Sequence, residues 1–294
     1  MEKQNLCQFE VDDTLCIGCS RCIKVCPGGI LTLNEEHHAR MLENVNPSGT
    51  NRCWKCEHCL SVCPRGAIRI FGKTPDSCLP PPSTDEASRI LDALVVNRHS
   101  HRRFLSGELN PALIRYLVDL LANAPNSGNK QLVEYTLVDD RIQMDRLRKY
   151  TYAKMDELAD NGLYPPGYDE EAFLKWKHKE ASDRPDILFC GAPYLLIPHA
   201  PLGVGKPEED IMITAAYFEL LCASRGLGAV MMSFPAEYIS LVPELRSILQ
   251  IPDDHAVPIV VGFGRPEIPY SRGSFRHVAD DSLHHFHFPE DINK

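Results

Sequence analysis

The residues whose chemistry stands out are cysteines near the amino terminus. The chain has 294 residues and 12 cysteines, ten of them within the first 78 residues. Eight fall into two runs of the form C-x2-C-x2-C-x3-C-P, and the second run repeats the first at an offset of 37 residues. The runs are Cys16-Ile-Gly-Cys19-Ser-Arg-Cys22-Ile-Lys-Val-Cys26-Pro27 and Cys53-Trp-Lys-Cys56-Glu-His-Cys59-Leu-Ser-Val-Cys63-Pro64. Clustered thiols in a cytosolic chain indicate metal or redox chemistry rather than disulfides.

The spacing favours iron–sulfur clusters over zinc. Zinc ribbons separate their cysteine pairs by a longer loop and need only four thiolates for each ion. Three thiolates two residues apart let a tight loop wrap one face of a cubane cluster. The fourth thiolate, on the short helix beyond, then points towards a second cluster.

This region, roughly residues 5–75, resembles the bacterial-type two-[4Fe-4S] ferredoxins. That family's crossed pattern implies one cluster on Cys16, Cys19, Cys22 and Cys63, and a second on Cys53, Cys56, Cys59 and Cys26. The segment 27–52 departs from a minimal ferredoxin, and its extended pieces near 30–33 and 39–42 predict a hairpin. The remaining cysteines have no partner spacing and are interpreted as free thiols; they are Cys7, Cys78, Cys190 and Cys222.

Composition excludes several classes of protein. Hydrophobic residues make up 44% and charged residues 24%, as in soluble globular proteins. No run approaches the roughly 18 apolar residues of a membrane helix, and residues 1–6 lack the order of a secretory signal, so we expect a cytoplasmic protein. The net charge is −9, and residues 1–78 are neutral overall, so there is no basic face for nucleic acid.

The chain length predicts two domains. We expect the first over residues 1–75, a Pro-rich linker over 76–87 containing Pro80, Pro81 and Pro82, and a second domain over 88–294. Ser83 and Glu86 have the spacing of a helix capping box. Beyond them the pattern alternates between helices (from Asn110-Pro111, over 211–224 and over 237–249) and strands (132–138, 194–197 and 256–263).

Two segments of the second domain could bind a ligand. Arg98, Ser100 and Arg102 offer two guanidiniums around a hydroxyl, which suits a phosphate monoester, although a solvated basic patch has the same composition. Asn129 and Gln131 offer amides that could pair with a uracil-like edge, although they also suit an ordinary turn. The terminal run His284-His-Phe-His287 could bind a metal, most simply as an adventitious surface site.

In this order the two segments resemble the nitroreductase family, through R-x-S-x-[RK]-x-F at 98–104 and A-P-x-x-x-N-x-Q at 124–131. The resemblance spans about 90–280 and implies an α+β chain in which the ferredoxin-like two-cluster domain precedes a three-layer α/β/α flavin domain. It implies FMN at the interface of a homodimer. The implied contacts are Arg98, Ser100, Arg102 and Arg272 at the phosphate, His99 beside the flavin, Asn129 and Gln131 at the ring, and Met231, Met232 and Ser233 near its reactive edge. Asn126 stands where the family has Ser or Thr, and its Pro-x-Glu-Gly segment is absent here.

No side chain has the arrangement of a catalytic nucleophile with its base, so the flavin is expected to carry the chemistry. The two halves together predict a reductase that passes electrons from the clusters to FMN and then to a small organic acceptor. The resemblance implies a nitroaromatic, a quinone or an activated alkene, with ferredoxin or NAD(P)H as candidate donor and an anaerobic host. Two alternatives stay open: a dehydrogenase that sends electrons out through the clusters, and a non-catalytic relay subunit.

Overall fold

The structure is a computed structural model, and it describes residues 7–43, 45, 52–183, 186 and 188–288. Residues 1–6, assessed above for a secretory signal, lie outside the described residues. Residues 44 and 46–51, which belong to the 27–52 insertion, lie outside them as well. Among the helices in the described part of the chain, none is long and apolar enough to cross a membrane.

The cysteine-rich half consists of short elements around a small apolar core that includes Ile30, Leu60 and Ile68. β1 and β4 pair antiparallel, and β2 pairs antiparallel with β3, which confirms the hairpin predicted within the insertion. The elements are β1 (Glu10–Val11), α1 (Arg21–Lys24), β2 (Leu31–Leu33), β3 (Ala39–Met41), α2 (His58–Val62) and β4 (Ile68–Arg69).

The second half is built on a five-stranded sheet in the order β5-β6-β9-β7, with β8 also paired to β6, and all of these pairs are antiparallel. Its strands are β5 (Glu134–Val138), β6 (Tyr194–Pro201), β7 (Gly228–Met232), β8 (His255–Ala256) and β9 (Val260–Gly264). Its helices are α3 (Thr84–Asn97), α4 (Pro111–Leu120), α5 (Arg141–Asp160), α6 (Glu170–Asp183), α7 (Pro207–Ala223), α8 (Ser233–Leu241) and α9 (Pro243–Ile248).

Both faces of this sheet are covered, as the predicted three-layer architecture requires. Leu195 and Ile197 of β6 pack into a core with residues of α5, α8 and α9. The alternate residues Tyr194 and Leu196 pack into a second core with α4 and α7. Successive side chains of a strand point to opposite faces of its sheet, so a run that is apolar at every position requires helices on both sides.

Some boundaries differ from those predicted. Ser83 caps α3 through its hydroxyl, which accepts from the Glu86 amide, so residues 84–87 are helical and the extended segment ends at Ser83. The helix predicted over 237–249 is two helices, because Pro243 cannot donate a backbone hydrogen bond and opens α9 instead. The strand predicted over 256–263 is divided into β8 and β9, with Pro258 between them.

Helix α7 also departs from the prediction that it is buried all round. One side packs on the sheet, but Met212, Ile213 and Tyr217 are 42%, 37% and 42% exposed. Leu91 and Val95 of α3 are likewise 53% and 54% exposed. The apolar residues of these helices therefore exceed what the core of one chain accommodates.

Candidate functional site

The first group of candidate ligands surrounds a small cavity in the cysteine-rich half. Apolar side chains including Leu33, Ala39 and Ile68 line the rest of its wall. The amide of Ala67 donates to the Cys63 sulfur at 3.3 Å. The cysteines that border this cavity are Cys16, Cys19, Cys22 and Cys63.

The second group surrounds a separate cavity walled by Ile30, Leu31 and Ile70 among other residues. Burial, followed by the neighbouring cysteines Cys53 and Cys56, raises the pKa of the Cys59 thiol to about 12. The cysteines that border this cavity are Cys26, Cys53, Cys56 and Cys59.

The chemistry of these donors fits an iron–sulfur cluster in each cavity. Burial also raises the pKa of Cys22, with a smaller contribution from Cys63 and Cys16. Four thiolates facing one another in an apolar pocket repel and are poorly solvated, so their charged form needs a cationic centre between them. A cluster of iron ions provides that centre, and thiolates are the ligands it prefers.

The backbone of the two cysteine runs repeats as their sequence does. Ser20 and Glu57, 37 residues apart, both precede a short helix with φ near +60°. Gly29 and Gly66, also 37 residues apart, have φ of +59° and +62°. The second run therefore wraps its cavity with nearly the same loop as the first, although only part of the sequence is shared.

The segment 98–104 is joined to the free edge of β7. Ser100 forms a parallel bridge with Ala229, and the amide of His101 donates to the Ala229 carbonyl at 2.9 Å. The strand begins with Gly228, where an added Cβ would lie 2.5 Å from Cγ of His101. A glycine is required there because the His101 ring occupies the space that a side chain would fill.

A cavity of about 190 Å³ lies beside this segment and is lined by Arg98, His99, Glu219 and Tyr270, among others. The His99 and Tyr270 rings stack with centroids 3.9 Å apart. Arg98 Nη1 donates to the Glu219 carboxylate at 2.9 Å, and Glu219 is almost completely buried. This pairing holds the Arg98 guanidinium at the cavity wall, and only one of its N–H groups is used.

The remaining candidate cations lie on the same side of the domain. Arg102 is exposed, and its Nη1 donates to the Ser100 carbonyl at 3.3 Å. Arg272 precedes Gly273, where an added Cβ would lie 2.4 Å from the carbonyl oxygen of Val96. The carboxy-terminal segment that carries Arg272 therefore runs against the end of α3, close in sequence to Arg98.

Met231, Met232 and Ser233 lie at the other end of β7. Met232 is buried in the core against α5 and α8, Met231 is partly buried on the opposite face, and Ser233 begins α8. Three residues separate Ala229 from Met232, a distance of about 10 Å along a strand. The predicted phosphate contacts and the predicted ring-edge residues thus flank the two ends of one strand.

Asn129 and Gln131 are not brought together with Arg98. They lead into β5, whereas Ser100 lies beyond β7 at the opposite edge of the sheet. Four strand spacings separate the two edges, about 19 Å in all. The side chain of Gln131 turns back to the Ala122 carbonyl, with its Nε2 3.5 Å from that oxygen.

Asn129 instead contacts the cysteine-rich half. Its Nδ2 donates to the backbone carbonyl of Trp54 at 2.8 Å. Trp54 lies between Cys53 and Cys56 in the sequence and lines the second cysteine cavity. Asn129 also has φ of +51°, a conformation uncommon for residues other than glycine. The loop 127–129 therefore adjoins the second cysteine cavity.

A sequence model of the nitroreductase family matches residues 95–265, more than half of the chain. The chain belongs to the nitroreductase family. A separate model, of a 4Fe-4S dicluster domain, matches residues 15–67. A search of curated proteins finds no match.

Solved structures share the fold of this nitroreductase-family chain at low sequence identity. A nitroreductase with bound FMN from Bacteroides fragilis is 15% identical and covers 67% of this chain and 98% of its own, with a TM-score of 0.52. One from Desulfitobacterium hafniense, also with bound FMN, is 18% identical over 67% of this chain and 98% of its own, with a TM-score of 0.52. An FMN- and NADPH-dependent nitroreductase from a Sphigopyxis strain is 21% identical over 68% and 99%, with a TM-score of 0.51.

Sequence reasoning did not identify three residues that shape the site of this nitroreductase-family chain. Glu219 and Tyr270 hold Arg98 and His99, and Trp54 receives the bond from Asn129. Glu219 carried one usable signal, since it is a lone carboxylate near the end of an otherwise apolar helical run. Trp54 and Tyr270 carried none, because their partners are distant in the sequence.

Proposed function

We propose that the chain is an iron–sulfur flavoprotein reductase that binds two [4Fe-4S] clusters and FMN and delivers electrons to a small organic acceptor. When bound, clusters of this kind carry single electrons, and FMN can collect two of them and release them as a pair. The nitroreductase family and the dicluster match support the oxidoreductase class.

The observation that carries this proposal is the hydrogen bond from Asn129 to the Trp54 carbonyl. Electron transfer requires the donor and the acceptor to be close and held in a fixed position. Trp54 belongs to the loop of the second cysteine set, and Asn129 belongs to the segment that the family resemblance assigns to the flavin ring. Electrons would therefore leave the protein's clusters through the set formed by Cys26, Cys53, Cys56 and Cys59.

The cysteine cavities support two clusters with crossed ligands. Each cavity collects three cysteines from one run and the last cysteine of the other. The crossing is possible because β1 and β4 bring the ends of the repeat together. Eight ligands in two sets of four give two clusters for each chain.

The separation of the flavin residues supports a homodimer. Arg98 and Asn129 lie at opposite edges of one sheet, so a single chain does not enclose one flavin with both. A second copy can bring its own Asn129 to the Arg98 segment if the chains meet along α7 and α3. The exposed Met212, Ile213 and Tyr217 on α7 and Leu91 and Val95 on α3 provide an apolar surface for that contact.

Within such a site the residues of this chain would divide the work. Arg98, Arg102 and Arg272, with the Ser100 hydroxyl, supply charge-assisted donors for the FMN phosphate. His99, held against Tyr270, lies beside them. Met231, Met232 and Ser233 flank the ring end, and Asn129 and Gln131 offer polar contacts to the ring.

The acceptor class proposed is a nitroaromatic, a quinone or an activated alkene, each of which takes up two electrons with protons from solvent. Reduced ferredoxin is the proposed donor to the clusters, and NAD(P)H is the alternative donor. The dehydrogenase and relay alternatives differ from this proposal in direction and in turnover.

Anaerobic purification followed by iron, sulfide and flavin analysis tests the cofactors. The expected result is about eight iron atoms and one FMN for each chain. Turnover is then measured with reduced viologen and the three acceptor classes, and separately with an oxidised acceptor dye and organic reductants. Turnover only in the second assay would favour the dehydrogenase, and a flavin-loaded dimer inert in both would favour the relay subunit.

A further inference from the structure

Away from the cofactor residues, three metal-ligating side chains meet on the sheet. Glu134 on β5 is paired directly with His199 on β6, and His255 on β8 is paired with Pro201, also on β6. The potential ligand atoms of Glu134, His199 and His255 all lie within 4.8 Å of one another. His199 and His255 are 3% and 8% exposed, whereas Glu134 is exposed.

The hydrogen bonds around His199 determine which ring nitrogen carries its proton. The Thr136 hydroxyl donates its single hydrogen to the Leu249 carbonyl at 3.0 Å. The same hydroxyl oxygen lies 3.3 Å from Nε2 of His199, so it can only accept there, and His199 is protonated at Nε2. Its Nδ1 therefore presents a lone pair.

That lone pair points at the second histidine. The two Nδ1 atoms of His199 and His255 are 2.8 Å apart, so the His255 nitrogen donates the hydrogen between them. A metal ion with bonds of about 2.0–2.1 Å to nitrogen requires ligand atoms roughly 3.3 Å apart in a tetrahedron. A small opening of the pair, with His255 protonated at Nε2 instead, would meet that requirement.

The groups facing this cluster leave it suited to a cation. Burial and His255 lower the pKa of His199 to about 4, so the ring is neutral at pH 7. Arg246 opposes a cation nearby, but it donates to the backbone carbonyl of His255 and so anchors β8. Glu134 supplies the negative charge and, being exposed, can rotate towards the two rings.

The cluster also has an open side. Glu134, Thr136 and His199 line a cavity of about 750 Å³, whose wall further includes Gln143 and Arg146. Catalytic zinc sites combine three protein ligands, often two His and one Glu, with a fourth position open to water or substrate. Thr136 would act as the partner that orients a metal-bound histidine.

We propose that Glu134, His199 and His255 form a binding site for one divalent transition-metal ion of the Zn²⁺ type, with a coordination position facing this cavity. Two imidazole nitrogens and a carboxylate oxygen suit Zn²⁺ and neighbouring first-row ions better than Ca²⁺ or Mg²⁺. The site is independent of the iron–sulfur and flavin residues.

The test is Zn²⁺ binding to the cluster-loaded protein under anaerobic conditions, by equilibrium dialysis with metal analysis. The terminal histidines are first removed in the background variant H284N/H285N/H287N, because they could bind zinc adventitiously. We expect the background protein to bind one more equivalent of Zn²⁺ than its H199N derivative. E134Q should weaken that equivalent at least about 10-fold, and T136V should weaken it about 10- to 100-fold.

Glu134 is exposed, so E134Q should fold even if H199N does not, and E108Q is a matched control at another exposed carboxylate. Retained Zn²⁺ affinity in E108Q together with loss in E134Q and T136V supports the site. Equal Zn²⁺ binding by the background protein, E134Q and T136V would overturn it.

Discussion

The side-chain amide of Asn129 donates to the backbone carbonyl of Trp54 at 2.8 Å, and this bond joins the family's flavin-ring segment to the second cysteine set. N129A should lose about 0.5–1.5 kcal/mol of contact between the two halves. We expect slower flavin reduction after the clusters are reduced, with iron content unchanged, in stopped-flow absorbance. N123A is the control, because Asn123 donates only to the nearby Leu120 carbonyl. Equal rates in the two variants would argue against this contact as the electron route.

The crossed cysteine sets predict a selective loss. C63A should damage the cluster held mainly by Cys16, Cys19 and Cys22, because Cys63 borders that cavity. Iron and sulfide analysis with low-temperature EPR should report one intact cluster. C78A, which alters an exposed cysteine outside both cavities, should keep the iron content of the unmodified protein. Loss of the other cluster in C63A would mean that the ligands do not cross.

Arg102 is the cleaner test of the phosphate contacts. Removing one charge-assisted partner, worth about 1.5–3 kcal/mol, should weaken FMN binding roughly 10- to 100-fold. R102A should therefore purify with its clusters but with little flavin, and added FMN should restore activity. R103A, an adjacent exposed arginine, is the control. R98A is less informative because it also leaves the buried Glu219 carboxylate without its guanidinium. Full flavin content in R102A after dialysis would refute the assignment.

The exposed side of α7 predicts a charge-sensitive dimer. I213E introduces a carboxylate into the proposed contact and should shift the protein to a monomer with reduced flavin content. Light scattering coupled to gel filtration measures the mass. I142E places the same change at a 64% exposed position of α5 and should stay dimeric. A flavin-loaded monomer in the unmodified protein would contradict the shared site.

Gly228 should be sensitive to a single added carbon. In G228A the new Cβ would lie 2.5 Å from His101 Cγ, so the 98–104 segment or β7 must shift. We expect a loss of about 1–3 kcal/mol in the free energy of unfolding, together with weaker FMN binding. G107A is the control, since its nearest listed neighbour would be a side-chain nitrogen of Arg265 at 3.9 Å. Unchanged unfolding in denaturant for both variants would show that the segment adapts without cost.

Features that depend on neighbouring residues could be predicted from the sequence. The cysteine repeat, the Ser83 cap, the helix that begins after Asn110 and the fully apolar strand at 194–197 all follow from local spacing and side-chain chemistry. The order of the two nitroreductase motifs likewise indicated the family, because each motif is contiguous. Pro243 and Pro258 could have corrected two boundaries, since proline interrupts backbone hydrogen bonding.

By itself, therefore, the sequence determined the ligand types, the family and the two-part organisation of the chain. Only the tertiary structure decided that Arg98 and Asn129 lie at opposite edges of the sheet, that Asn129 meets Trp54, and that Glu134, His199 and His255 converge. These contacts join residues tens of positions apart, and strand order and register select them. Spacing along a chain constrains only neighbours within a few residues, whereas long-range pairing depends on how the whole sheet and its two cores pack.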